Sequence, residues 1–242
     1  MTRAEWLDAL GLGAAEIPRL VVLEGSWWRR ERNAQRLAVL DDVRELAFPE
    51  FHFGRYRGAP VLYSCAYGAP RAVEPVHVFG ELGTPTVVQI GSCGALQRGI
   101  NTGDIVLPEQ ATIGEGSSQY YGGQGRSSAT PALVDAAEAA FTRQGFRVHR
   151  GSHITTSALF AQGPERVQAW HQAGHLAVDM ETSAVFSAAR WFGMQAISML
   201  FAWDDLLRHR SWLDPFPAEE RAAQDRANIA LMEVALEVGL AK

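Results

Sequence analysis

Six short runs, Leu20–Leu23, Pro60–Cys65, Pro85–Ile90, Asp104–Leu107, Phe146–Arg150 and Ala196–Ala202, recur along the chain with helical patterns between them. Several of these runs are apolar on both faces, and a strand of that kind needs a helical layer on each side of its sheet. Helical periodicity marks Ala72–Leu82, Pro131–Gln144, Gly163–Gln172 and Thr182–Phe192. Ala218–Leu240 closes the chain with Ile229, Met232, Leu236 and Leu240 on one face. The helix at Pro131 has Thr130 as its N-cap, Pro131 in its first turn and Gly145 after its end. The alternation predicts one α/β domain over residues 1–242, a three-layer α/β/α sandwich around a central mixed sheet. A chain of 242 residues suffices for one such well-buried core. Gly114–Ser128, rich in Gly, Ser and Tyr, reads as a functional or mobile loop.

A net charge of −5 with no basic stripe excludes nucleic acid as the main partner. No apolar run reaches membrane-spanning length, and Met1–Leu12 carries acids where a secretory signal has an apolar core. The expected setting is therefore cytoplasmic. Cys65 and Cys93 are too few for a disulfide scaffold or a cysteine-rich zinc site. His171 and His175 have metal-ligand spacing, but no Glu follows His171 and no third ligand is evident. They read as a surface pair, and no metal is expected. Trp6, Trp27, Trp28, Trp191 and Trp212 read as core or subunit-contact residues.

The strand ends hold the chemistry. The first run leads into Glu24-Gly25-Ser26, the second into Tyr67-Gly68-Ala69-Pro70, the third into Gly91-Ser92-Cys93-Gly94, and the last into Trp203-Asp204-Asp205. Open α/β sheets bind ligands beyond the carboxyl ends of their strands, so four segments nominate one pocket. The Gly91–Gly94 turn offers backbone amides and the Ser92 hydroxyl to an anion. It is not a nucleotide loop, because no Lys follows its second glycine. In Val178-Asp179-Met180-Glu181-Thr182, one acid suffices to cap the apolar helix that follows. Asp179 as the cap leaves Glu181 over, a carboxylate suited to vicinal hydroxyls because it accepts two hydrogen bonds at once.

With these residues in view, Val88–Leu107, VQIGSCGALQRGINTGDIVL, resembles the central signature of the nucleoside phosphorylase and uridine phosphorylase superfamily. VDMETSAVF at Val178–Phe186 resembles its second signature, in which Met-Glu opens a helix and grips the ribose. Glu115–Tyr121 resembles a loop of the uridine-phosphorylase-like branch, and Trp203–Leu207 the segment that holds the catalytic acid in purine-type members. By this resemblance Met180 and Glu181 bind ribose, and Asp204 is the catalytic acid. Gly25, Arg29, Gln89 and Ser92 face phosphate, while Cys93, Gly94, Phe160 and Arg166 face the base. The implied partners are a nucleoside and inorganic phosphate as cosubstrate, with no organic cofactor. The resemblance also implies a homo-oligomer, a dimer or a hexamer.

Several positions depart from the family pattern. Gln89 stands where an arginine usually precedes the Gly-rich turn, Pro164 replaces the glutamine that helps read uracil, and Trp203 replaces a serine. The histidine and arginine usually lent by a neighbouring subunit align with Ala9 and near Ala47; Arg44 and Arg55 are nearby substitutes for the second. The expected reaction is phosphorolysis of a nucleoside. Its rivals are hydrolysis, favoured by the neutral Gln89, and a binding protein that has lost catalysis. An acid beside the leaving base argues against the last, since binding alone has no use for one.

Overall fold

The computed structural model describes residues 1–208 and 215–241; Trp212 lies outside them. In chain order the elements are α1 (Arg3–Leu10), β1 (Leu20–Gly25), α2 (Arg29–Leu37), β2 (Asp41–Glu45), β3 (His52–Tyr56), β4 (Ala59–Cys65) and α3 (Ala69–Glu81). Then come β5 (Thr86–Ala95), β6 (Ile105–Gly114), β7 (Arg126–Ser128), α4 (Pro131–Arg143), β8 (Val148–Thr156) and α5 (Pro164–Gln172). The chain ends with β9 (Ala177–Asp179), α6 (Thr182–Trp191), β10 (Gln195–Asp205) and α7 (Ala218–Gly239). Every strand and helix expected from the sequence is present.

The strands form one mixed sheet. β1 runs parallel to β4 and β5, and β5 runs parallel to β10. β10 pairs with β6, β6 with β8, β8 with β9, and β9 returns to β5, so this end of the sheet closes into a ring. The expected α/β sheet is thus mixed, and it also curls. β2 and β3 extend the other edge beyond β4 as antiparallel strands. Their sequence hides them, because all five β2 residues are exposed and a charged edge strand shows no apolar alternation.

α3 packs on α6, and α4 packs on α7, which also contacts β1, β5 and β10. Thr130 precedes α4 as expected, but its hydroxyl accepts the Ala196 N–H, at 3.0 Å, rather than capping the helix. In α7 the buried side chains include Leu231, Met232, Val234, Ala235, Leu236 and Val238. Ile229, expected on that face, is 58% exposed. It falls on the solvent stripe of Asp225, Glu233 and Glu237, four residues from the nearest two.

The Gly114–Ser128 segment is not an open loop. It forms a 3-10 turn at Ser118–Tyr121 and then β7, which pairs with β6. Glu115 fastens it, accepting hydrogen bonds from the Ser118 hydroxyl and, at 2.9 Å, from the Ser183 hydroxyl of α6. The segment does not line the cavity described next.

Candidate active site

Gly91–Gly94, expected as a turn, continues strand β5, because these residues stay paired with β10; the end of β1 lies beside them, with Gly25 opposite Gly91. β10 runs beside β5, and β9 delivers the Asp179–Glu181 corner from the other side. Between these ends opens a cavity of about 380 Å³ whose walls include Gly25, Ser92, Met180, Glu181, Trp203 and Asp204.

Asp179 and Glu181 are two buried acids in opposite states. Asp179 accepts from the Thr182 N–H at 2.9 Å, so it caps α6 as the sequence suggested. It also accepts from the Thr182, Thr155 and Gln89 side chains, and His153 Nε2 lies 3.1 Å from its Oδ1. Burial pushes its pKa up, but facing His153 and these hydrogen bonds outweigh it and hold the group at about 2. Glu181 has less help. Burial, and then the Asp179 charge, raise it to about 8 although the Gly68 N–H donates to its Oε1 at 2.6 Å. Its other oxygen is turned toward the cavity wall at Gly25. A Cβ at Gly25 would come within 2.5 Å of Glu181 Oε2, so only glycine lets the acid sit there. Tyr67 closes the same corner, its hydroxyl 3.0 Å from Met180 Sδ. Burial and the charge of Glu181 push that phenol up to about 12, so it stays a donor.

Strand alternation alone would put Trp203 and Asp205 on one face of β10 and Asp204 on the other. The β5–β10 register slips between Ala202 and Asp204, so Asp204 lies opposite Gly94. A bulge of this kind re-aims side chains at a strand end. Asp204 is thereby buried on the cavity wall, 5% exposed. Asp205 turns away, accepting the Leu207 N–H at 3.0 Å and pairing with Arg208 at 2.9 Å. The two adjacent acids are separated in role by one irregular residue.

Of the residues expected at the site, Gly25, Ser92, Cys93, Gly94, Met180, Glu181 and Asp204 line the cavity. Cys93 contributes shape, since burial pushes its thiol well above the usual range. Four others do not line it. Gln89 is buried behind the wall, its Nε2 donating to Asp179 at 2.9 Å, because it lies inside β5 before the Gly91–Gly94 stretch that lines the cavity. Arg29, the first residue of α2, is 59% exposed and lies 3.5 Å from Glu50. Arg166 is exposed on the outer face of α5, whose inward side presents Pro164 and Val167 at i, i+3 spacing. Phe160 is 80% exposed and meets Trp27 at 5.8 Å. Arg44 pairs with Glu16, and Arg55 lies on β3; neither reaches the cavity.

Residues without a motif fill the vacated places. Trp27 and Trp28 line the cavity, with Trp28 stacked on Trp203 at 5.4 Å. Glu24, Arg32 and Asn228 line the same end. Buried Arg36 holds Glu24 through Nε at 2.8 Å and Nη2 at 3.0 Å, and it also donates to the Asn228 carbonyl and side chain. The i, i+4 spacing of Arg32 and Arg36 was the available signal for this network. The histidine pair is not a surface pair: His175 is buried, its Nδ1 2.8 Å from the Ser152 hydroxyl. Among the described residues no cluster of three or more His, Cys, Asp or Glu side chains could hold a metal ion, and no helix is long and apolar enough to cross a membrane.

Known proteins share this arrangement of sequence and fold. The guanosine phosphorylase of Halorubrum lacusprofundi is 32% identical over 178 residues, covering 68% of this chain and 70% of its own. The DeoD-type purine nucleoside phosphorylase of Geobacillus sp. is 29% identical over 194 residues, covering 77% of this chain and 78% of its own. The crystal structure of uridine phosphorylase from Vibrio fischeri, complexed with 6-hydroxy-1-naphthoic acid, superposes with a TM-score of 0.80. It covers 94% of this chain and 93% of that one at 23% identity, which shows the shared fold. The sequence pattern of the phosphorylase superfamily matches residues 20–237, from the first core strand nearly to the end of α7. With both signature turns placed on the walls of one cavity, the chain belongs to the phosphorylase superfamily.

Proposed function

We propose that the protein is a pentosyltransferase that cleaves the N-glycosidic bond of a nucleoside with inorganic phosphate, releasing free base and pentose 1-phosphate. The observation that carries this reading is the pair of buried acids, Glu181 and Asp204, on the walls of one cavity. Glycosidic cleavage develops positive charge on the sugar and negative charge on the departing base. Glu181 accepts the ribose hydroxyls and, once ionised, faces the growing sugar charge. Asp204 donates its proton to the base as the C1′–N electron pair leaves with it. A phosphate oxygen then bonds to C1′. The Ser92 hydroxyl and the Gly25 and Gly91 backbones lie at the end where that anion belongs. The reading uses no metal or organic cofactor, and it takes the protein to work as a cytoplasmic homo-oligomer.

Hydrolysis is the second reading, favoured by one feature. Gln89, where the family carries an arginine, is committed to Asp179 and offers the cavity no charge. Incubation with a panel of purine and pyrimidine nucleosides, with and without phosphate, separates the two. Pentose 1-phosphate formed only with phosphate supports phosphorolysis. Free pentose formed at the same rate without phosphate establishes hydrolysis, and release of no base under either condition refutes both.

A further inference from the structure

We propose that Arg32 binds the phosphate oxyanion and supplies the cationic contact that position 89 lacks. This rests on the phosphorolytic reading of the same cavity. Arg32 is the one arginine or lysine among the described residues that lines the cavity. Arg29 and Arg166 point to solvent, and Gln89 is neutral and held by Asp179. Arg32 sits on α2 four residues before Arg36, so the two guanidinium groups approach Glu24 together.

Glu24 does not need Arg32 as its partner. Arg36 is 3% exposed in its side chain and meets Glu24 with two hydrogen bonds, and Tyr63 donates a third at 2.9 Å. That neutralises Glu24 without Arg32. Arg36 does not line the cavity, and it also donates to the Asn228 carbonyl and side chain. Arg32 is held more loosely. Its Nε lies 3.5 Å from Glu24 Oε1, longer than a charge-assisted hydrogen bond, and its Nη1 donates to Gln35 at 3.2 Å. Its Nη2 makes no hydrogen bond among the described residues, and its side chain is 15% exposed. A half-buried guanidinium with an unspent N–H edge suits a phosphate oxygen, which it meets bidentately.

Register places the remaining ligands beside it. Glu24 pairs with Ile90, and Gly25 with Gly91, so the residue Arg32 leans on adjoins the Gly91-Ser92 stretch of β5. Burial lowers the Arg32 pKa below the usual guanidinium value, and the charges of Glu24 and Asp225 oppose that shift. The same chemistry would accept either inorganic phosphate or the phosphate ester of a nucleoside monophosphate.

The test compares wild type, Arg32→Gln, Arg32→Lys and Arg29→Gln, each first checked for an unchanged melting transition. Initial rates are measured against varied phosphate with a nucleoside, and against a nucleoside 5′-monophosphate without phosphate. Calorimetry measures binding of inorganic phosphate alone. Arg32→Gln should raise the phosphate half-saturation tenfold or more and shift nucleoside KM less than twofold. Arg32→Lys should recover part of the loss, and Arg29→Gln should change phosphate saturation less than twofold. If only the monophosphate is turned over, and Arg32→Gln raises its KM tenfold, the oxyanion is the ester's. A phosphate half-saturation unchanged in Arg32→Gln overturns the proposal while phosphorolysis stands. If the wild type hydrolyses without phosphate, the phosphorolytic reading fails, and calorimetry decides Arg32 separately. Phosphate bound by wild type and lost in Arg32→Gln supports it; equal binding, or none by wild type, overturns it.

Discussion

Burial and the Asp179 charge raise the Glu181 pKa to about 8, which makes nucleoside affinity pH-dependent in a defined direction. At pH 7, one unit below that value, only about a tenth of the protein carries the ionised carboxylate that accepts two ribose hydroxyls at once. A ligand that needs a fractionally populated form binds more weakly by that fraction. The nucleoside Kd should therefore fall about tenfold between pH 6 and pH 7 and about another tenfold between pH 7 and pH 9, each step roughly 1.4 kcal/mol. Trp27, Trp28 and Trp203 line the cavity, so quenching of tryptophan fluorescence without phosphate reports binding directly. The nucleoside used should have a base that does not titrate in this range. Glu181→Gln should bind weakly and with no slope. The same shift acts on folding with a definite sign. Between the usual 4.5 and about 8 the folded state holds a proton that the unfolded chain has released. Stability therefore falls as pH rises through this window, and Glu181→Gln should flatten that fall. A wild-type Kd flat from pH 6 to pH 9, or an equal slope in the Gln variant, would refute the reasoning.

Three further outcomes follow from the geometry. Asp204→Asn should lower turnover about a hundredfold with nucleoside affinity within a few-fold, while Asp205→Asn, already paired with Arg208, should change turnover less than about threefold; near-native turnover in Asp204→Asn would remove it from the mechanism. Asp179→Ala strips the cap from α6 and the partner from His153, and urea unfolding should show a loss of about 3–5 kcal/mol. The stabilisation of folding by Asp179 is present above its unfolded value of 3.8 and is lost as pH falls through about 2, so acid unfolding of the wild type should have a component there that the Ala variant lacks. Gly25→Ala drives a methyl into Glu181 Oε2 and should weaken nucleoside binding tenfold or more with unchanged circular dichroism; unaltered affinity would show that Glu181 has room to move.

Much of this protein is written locally. Apolar runs located six strands, and Asp179 capping α6 with Glu181 left over needed only the order of residues along one turn. Gly25 and Gly94 marked the cavity in the sequence, because a Cβ there would collide with Glu181 and Leu206. Local pattern failed where polarity masked structure, as in exposed β2 and arginine-rich α2, and where Ile229 fell on the solvent stripe of α7.

Which charges face the cavity was decided only by the fold. Gln89 and Arg29 stand at the motif positions, yet one is consumed by Asp179 and the other turns to solvent beside Glu50. Arg32, outside any motif, reaches the cavity because Arg36 and Asn228, 192 residues apart in sequence, meet at Glu24. Asp204 rather than Asp205 becomes the inward acid through a single slip in the β5–β10 register. Strand and helix preferences reside in neighbouring residues and survive in the bare sequence. The direction of a side chain and the protonation of a buried acid depend on burial and on charges brought from distant segments, so only the assembled molecule determines them.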